Sequence, residues 1–183
     1  MPLSPYNGFS PAQRDASTSW MHLEVLRGSF PAQPSTCSEC GQDRGTLSWH
    51  SEDYAWPFGP HVVEYPLCYW CHILLHSRFR SPFRWNEYLT LLGSGLRAAP
   101  VPSTAAGWAS VCRFLGNGGI ELESAEERRA APFLRGLSLE RWRHPHADRV
   151  MPEGAAARLA RELAAARRAA ARPAPRPLFA VVR

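Results

Sequence analysis

Apolar residues recur at the i, i+3, i+4, i+7 spacing of a helix face twice in the chain, first as Trp85, Tyr88, Leu89 and Leu92, then as Trp108, Val111, Cys112 and Leu115. Each set predicts an amphipathic helix packed on a core. Gly93 and Gly95 stop the first, and the Gly-Asn-Gly-Gly run at 116–119 stops the second. Cys112 reads as a core residue of the second helix. Residues 46–50 alternate as a strand does, whereas 55–61, with two prolines and a glycine, must be loop. Residues 20–26 alternate loosely and fit a strand or a short helix. Residues 1–19 are rich in Pro, Ser and Gly without a period and are expected to be poorly ordered. Farther along, Ser124 and Glu127 have the capping-box spacing of a short helix that Pro132 should end or kink. Phe133, Leu134, Leu137, Leu139 and Trp142 are apolar without a clean period. Between Pro152 and Pro173 an Ala-rich run predicts a helix, with Leu159 and Leu163 on one side and Arg158, Arg161, Arg168 and Arg172 on the other.

The candidate chemistry lies upstream of the first helical stripe. Cys37-Ser-Glu-Cys40 and Cys68-Tyr-Trp-Cys71 are two Cys-x-x-Cys pairs with 27 residues between them, the spacing of a four-thiolate structural zinc site. His72 and His76 stand four apart and so project from one face of a helix that begins at the second pair. His50, at the end of the predicted strand, offers a third imidazole. Glu52 and Asp53 add two carboxylates beside it, each able to serve as ligand or base, or only to cap a turn. His61 falls in the following loop and can replace a lost ligand or base. His144 and His146, two apart around a proline, make a poor chelating pair on a helix.

Taken together, the cysteine pairs, the run His50-Ser51-Glu52-Asp53-Tyr54, the nearby Pro57 and Leu67-Cys68-x-x-Cys71-His72-x-x-x-His76 resemble the zinc-stapled HNH endonucleases of phages and other mobile elements. The resemblance covers about 40 residues of the 183. It implies an α+β protein built on a zinc-stapled ββα module, HNH- or treble-clef-like, with added α-helices. Beyond the structural Zn2+, it implies a second divalent cation, Mg2+, Mn2+ or Zn2+, held by His50, His72 and His76. It also implies a general base directly after the first ligand and an orienting Asn about nine residues before His72. Those positions hold Ser51 and Val63. Sliding the register by one makes His50 the base and puts Trp49, which has no lone pair to give, at the first ligand position. In either register an unusual base such as His61 or Asp53 would have to activate water.

Charge sharpens the picture at two places. All 21 basic residues are arginine, and the net charge is +5. Arg78, Arg80 and Arg84 interleave with Phe79 and Phe83, an arrangement that suits phosphates and bases of a nucleic-acid strand. Residues 151–183 hold seven arginines against two glutamates. DNA is therefore the expected partner. The competing expectation is a non-enzymatic interaction protein that uses the zinc module as a scaffold for a host or mobile-element protein. No signal peptide or apolar run of 18 residues is visible, and four of five cysteines sit in metal-type pairs. The chain thus reads as cytoplasmic, without a membrane partner and with metal-bound thiolates. Its expected organisation is an extension, partly disordered (1–36), the zinc module with its closing helix (37–100), a helical addition (101–150), and the Ala/Arg-rich helix with a flexible end (151–183). The function expected of it is nucleic-acid binding, with weak or degenerate metal-dependent phosphodiester cleavage.

Overall fold

Helix α1 (Pro11–Arg27) begins where local chemistry directs it: Ser10 caps it, Pro11 occupies its first turn, and Ser10 and Gln13 exchange the hydrogen bonds of a capping box. Just before it, Tyr6-Asn7-Gly8-Phe9 makes a tight turn with Asn7 and Gly8 both left-handed, at φ 49° and 83°. That is the backbone an Asn-Gly pair favours. Tyr6 and Phe9 then enter the main core. Within the described residues 3–19 the expectation of a poorly ordered start is thus overturned, and residues 20–26 belong to a helix, because caps and a turn replace periodicity as the organising signal. The computed structural model describes residues 3–115, 118–125 and 131–171.

After a loop carrying Cys37 and Cys40, β1 (Leu47–His50) pairs antiparallel with β2 (Tyr65–Cys68), placing Leu47 opposite Cys68 and His50 opposite Tyr65. A short 3-10 turn (Pro60–Val63) lies between them. Helix α2 (Tyr69–Ser77) follows β2 without a break, with Cys68 as its N-cap. Helix α3 (Pro82–Gly93) closes the core through Trp85, Tyr88, Leu89 and Leu92, the stripe read from the sequence. A second antiparallel pair, β3 (Leu96–Ala98) with β4 (Leu122–Ser124), flanks α4 (Ala105–Leu115). The sequence thus yields the α+β class.

One local reading fails here. The inward face of α4 carries Gly107, Val111 and Phe114, while Cys112 is exposed. Gly107 passes so close to the Pro102 carbonyl oxygen that a Cβ there would clash with it. Ser124 ends strand β4, and residues 126–130, where the short helix was expected, lie outside those described. The aperiodic segment contains one short helix, α5 (Pro132–Gly136), and then irregular chain as far as α6 (Ala155–Ala170). Helix α6 packs on α1 through Leu159 and Leu163, which meet Ala16 and Leu23 in a small separate core. Its apolar side is the one the sequence indicates.

Arg78 changes meaning most. Read as a phosphate contact, it is instead fully buried at the end of α2. Its Nε donates to the Ser138 carbonyl at 2.9 Å, and Nη1 donates to the Leu75 carbonyl at 2.8 Å and Tyr6 Oη at 3.1 Å. The guanidinium also lies 4.1 Å from the centroid of the Phe79 ring. One side chain therefore ties α2 to the N-terminal turn and to the irregular segment. Phe83, next in the same run, is 77% exposed. We expect Arg78→Ala to lower the unfolding free energy by about 3 kcal/mol, since it leaves a void and several unpaired acceptors, whereas exposed Arg80→Ala should change it by less than about 0.5 kcal/mol. Urea titrations of the two variants decide this; equal destabilisation would mean that Arg78 is not structural.

Candidate metal centres

The four cysteine sulfurs are buried together, all within 4.8 Å of one another, and Cys40 Sγ is 3.6 Å from Cys68 Sγ. That is far beyond a disulfide bond of about 2.05 Å, and close to the ~3.8 Å edge of a tetrahedron with metal–sulfur bonds of ~2.3 Å. The backbone is turned for the purpose. The Cys71 N–H points at Cys68 Sγ (3.5 Å), and the Gly41 N–H donates to the Cys37 carbonyl (3.0 Å). Hydrogen bonds from Cys40, Cys68 and Cys71 pull the Cys37 thiol far down, and the same bonds, with burial, push Cys68 and Cys71 well up. Four buried sulfurs at this spacing form a donor set that fits a closed structural site compatible with zinc. Tyr88 Oη, 3.4 Å from Cys71 Sγ, adds a hydrogen bond from outside the cluster.

The second cluster stands beside the first because α2 carries both. His72 follows Cys71 directly, His76 lies one turn on, and β1 delivers His50 from the other side. His50 Nδ1 is 3.3 Å from His72 Nε2, which is 3.0 Å from His76 Nε2. Three nitrogens bound to one cation at 2.0–2.1 Å in tetrahedral directions would be ~3.3 Å apart. His50 Nε2 lies 2.8 Å from Glu52 Oε1, and Ser48 Oγ lies 2.7 Å from His72 Nδ1. These outer contacts occupy the far nitrogens and turn lone pairs inward. Burial pushes His72 down to about 3, pushes His76 well below its ordinary value and lowers His50. Protons therefore bind weakly where three lone pairs meet, and the arrangement suits a metal ion.

Glu52 is the residue that the sequence left ambiguous and the structure makes specific. Burial pushes its carboxyl up, but hydrogen bonds from His50, Tyr6 and Asn7 outweigh this and hold it below the usual range. Tyr6 Oη donates at 2.6 Å, and burial and the Glu52 charge keep that hydroxyl protonated. The N-terminal turn thus fixes the carboxylate that orients His50.

Two proposed bases lie elsewhere. The His61 ring faces the Ala55 carbonyl, at 3.2 Å, and is not in the three-histidine cluster. Asp53 turns instead toward His144 and His146. Ser51, at the expected base position, is buried with its hydroxyl 2.7 Å from the Asp53 carbonyl and 2.6 Å from that of His61, while it accepts the Asp53 N–H. It holds the loop together.

No protein-family model, curated protein or solved structure matches this chain. The site therefore has to be read from its own geometry. A cleft of about 840 Å3 opens over His72 and His76, with Arg14, Arg80, Arg141 and Trp142 on its walls. Of the arginines expected on a nucleic-acid surface, Arg80 is exposed at this cleft, while Arg84 is held on the Phe114 ring and donates to the Phe114 carbonyl at 3.1 Å. Arg158, Arg161 and Arg168 are exposed along α6, and Arg172 lies outside the described residues. Arg14, Arg141 and Trp142 come from segments without hydropathy periodicity, which is why sequence patterning overlooked them. Among the described residues no helix is long and apolar enough to cross a membrane.

Two outcomes follow from the geometry. Cys40→Ser should lower stability by more than about 4 kcal/mol, as loss of a buried metal site does, and chelation should melt residues 37–76. Thermal unfolding with metal analysis tests this, and a zinc-free native protein would contradict it. Glu52→Gln should weaken divalent-metal binding at the histidines by about tenfold while sparing the cysteine site. Competition with a chelating dye measures both affinities at once.

Proposed function

We propose that this chain is a zinc-stapled, HNH-like nucleic-acid-binding protein in which β1, β2 and α2 form a ββα metal module, with slow metal-dependent phosphodiester cleavage at the three histidines. The observation that carries the reading is the convergence of His50 Nδ1, His72 Nε2 and His76 Nε2 under a cleft walled by arginines. Three protein nitrogens leave a coordination position for solvent or substrate, as catalytic sites do, whereas the cysteine cluster is closed. A divalent cation there would supply Lewis acidity to a phosphoryl oxygen and offset charge on the leaving group.

The chain's own residues supply binding and orientation. Arg80 and Arg141 offer charge-assisted hydrogen bonds to phosphate oxygens, and Trp142, 39% exposed, offers a face to a base. Glu52 fixes His50, and Ser48 fixes His72. Among the described residues, none at the site is placed as a free proton acceptor. Ser51 is committed to backbone groups, and neither His61 nor Asp53 faces the cluster. General-base catalysis typically contributes about a hundredfold to ten-thousandfold, so its absence makes the reaction slow. The exposed arginine face of α6 adds a second strip for phosphates. The missing base equally suits the alternative of a metal-stabilised binding scaffold without turnover.

Nicking of supercoiled plasmid by the full chain with Mn2+ or Zn2+ separates the two. Slow cleavage that chelator and His76→Ala each abolish, with the cysteine zinc retained, is the expected result. No cleavage from protein with intact metal would favour the scaffold. Arg80→Ala with Arg141→Ala should weaken DNA binding and flatten the slope of log affinity against log salt by about 0.9 per lost phosphate contact; an unchanged slope would remove DNA from the cleft.

A further inference from the structure

A third group of metal-type side chains lies outside both centres. Asp53, in the loop after β1, meets His144 and His146 from the irregular segment before α6, and one donor atom from each lies within 4.8 Å of the others. Asp53 Oδ2 is 2.7 Å from His146 Nδ1, and Asp53 Oδ1 is 3.9 Å from His144 Nδ1. We propose that these three residues bind a divalent cation of the Zn2+ class, which staples the irregular segment to the loop of the metal module.

The donor set favours that class. Two imidazoles and one carboxylate suit Zn2+ and its neighbours, whereas Mg2+ and Ca2+ prefer oxygen. The rings are held in place. His144 packs against Phe9 with centroids 5.5 Å apart and against Trp142 at 5.3 Å, and its backbone N–H donates to the Asn7 carbonyl at 2.8 Å. His144 Nδ1, on the Asp53 side, accepts the His146 backbone N–H at 3.1 Å; ligation through that one lone pair would break this bond and return the N–H to solvent. Asp53 Oδ1 accepts the Ala55 N–H at 2.8 Å. A cation would replace the single proton between Asp53 and His146 and draw in His144. With bonds of 2.0–2.2 Å in tetrahedral directions, neighbouring donors sit ~3.4 Å apart, so the longer gap closes by roughly 0.5 Å and the Asp53–His146 contact opens by roughly 0.7 Å. The His146 side chain is 40% exposed, which leaves a route in and room for water in the remaining positions.

Such a clip has structural work to do. The segment around His144 and His146 has no regular secondary structure, yet it supplies the carbonyl that receives Arg78 and the cleft residues Arg141 and Trp142. Asp53 and His146 are 93 residues apart in sequence, so the clip closes a long loop. Its Gly8 neighbour shows how closely the parts fit, since a Cβ there would stand 2.7 Å from Arg143 Cγ.

The test is zinc binding by the full chain, measured by equilibrium dialysis at set free zinc, for the parent, His146→Ala, His146→Gln and His76→Ala. The histidine variants at 146 should each bind one zinc fewer than the parent while retaining the cysteine-bound zinc and helical content. His76→Ala reports separately on the three-histidine centre, so failure there leaves this inference standing. Zinc, but not magnesium, should also slow tryptic cleavage after Arg141, Arg143 and Arg149 by about tenfold in the parent and not in His146→Gln. Unchanged zinc content in both 146 variants, or protection that persists in them, would overturn the proposal.

Discussion

Four buried sulfurs meeting at one point constrain everything around them. Cys68 caps α2 and Cys71 sits in its first turn, so the cysteine cluster sets both the start and the rotation of the helix. That rotation decides where His72 and His76 point. The pairing of β1 with β2 then brings Ser48 to His72 and His50 to the same spot. A change that loosened the sulfurs would therefore move the histidines too. The two clusters differ in what they leave open: four thiolates close a coordination sphere, and three imidazoles beside a cleft do not.

The rest of the chain acts as a frame for the second cluster. Tyr6 and Asn7 hold Glu52, Glu52 holds His50, and Arg78 bonds to Tyr6 and to Ser138 from beneath. Hydrogen bonds to a buried carboxylate are strong because the alternative is an unpaired charge in a medium of low dielectric constant. The chain's least periodic parts, residues 3–9 and 137–149, thus make some of its most specific contacts.

That division explains what the sequence disclosed. The strand at 46–50, the helix after the second cysteine pair, the Trp85 stripe and the Leu159/Leu163 face were legible because each repeats at a period or follows a motif. Arg78 was misread because an arginine next to a phenylalanine looks alike on a surface and in a core. Cys112 was misread because the buried residues of α4 are Gly107, Val111 and Phe114, and a glycine carries no hydropathy signal. Asn7-Gly8 is a turn signal that could have flagged the N-terminal segment. Nothing in one dimension could have joined Asp53 to His146 or Glu52 to Tyr6, since such pairs exist only once the chain has folded.

The most direct test of this account is anomalous diffraction at the zinc absorption edge from crystals of the full chain grown with zinc. The account predicts one peak ~2.3 Å from all four sulfurs and a second ~2.0–2.1 Å from His50 Nδ1, His72 Nε2 and His76 Nε2. A disulfide in place of the first peak, or three histidines bonded only to one another with no peak between them, would contradict it.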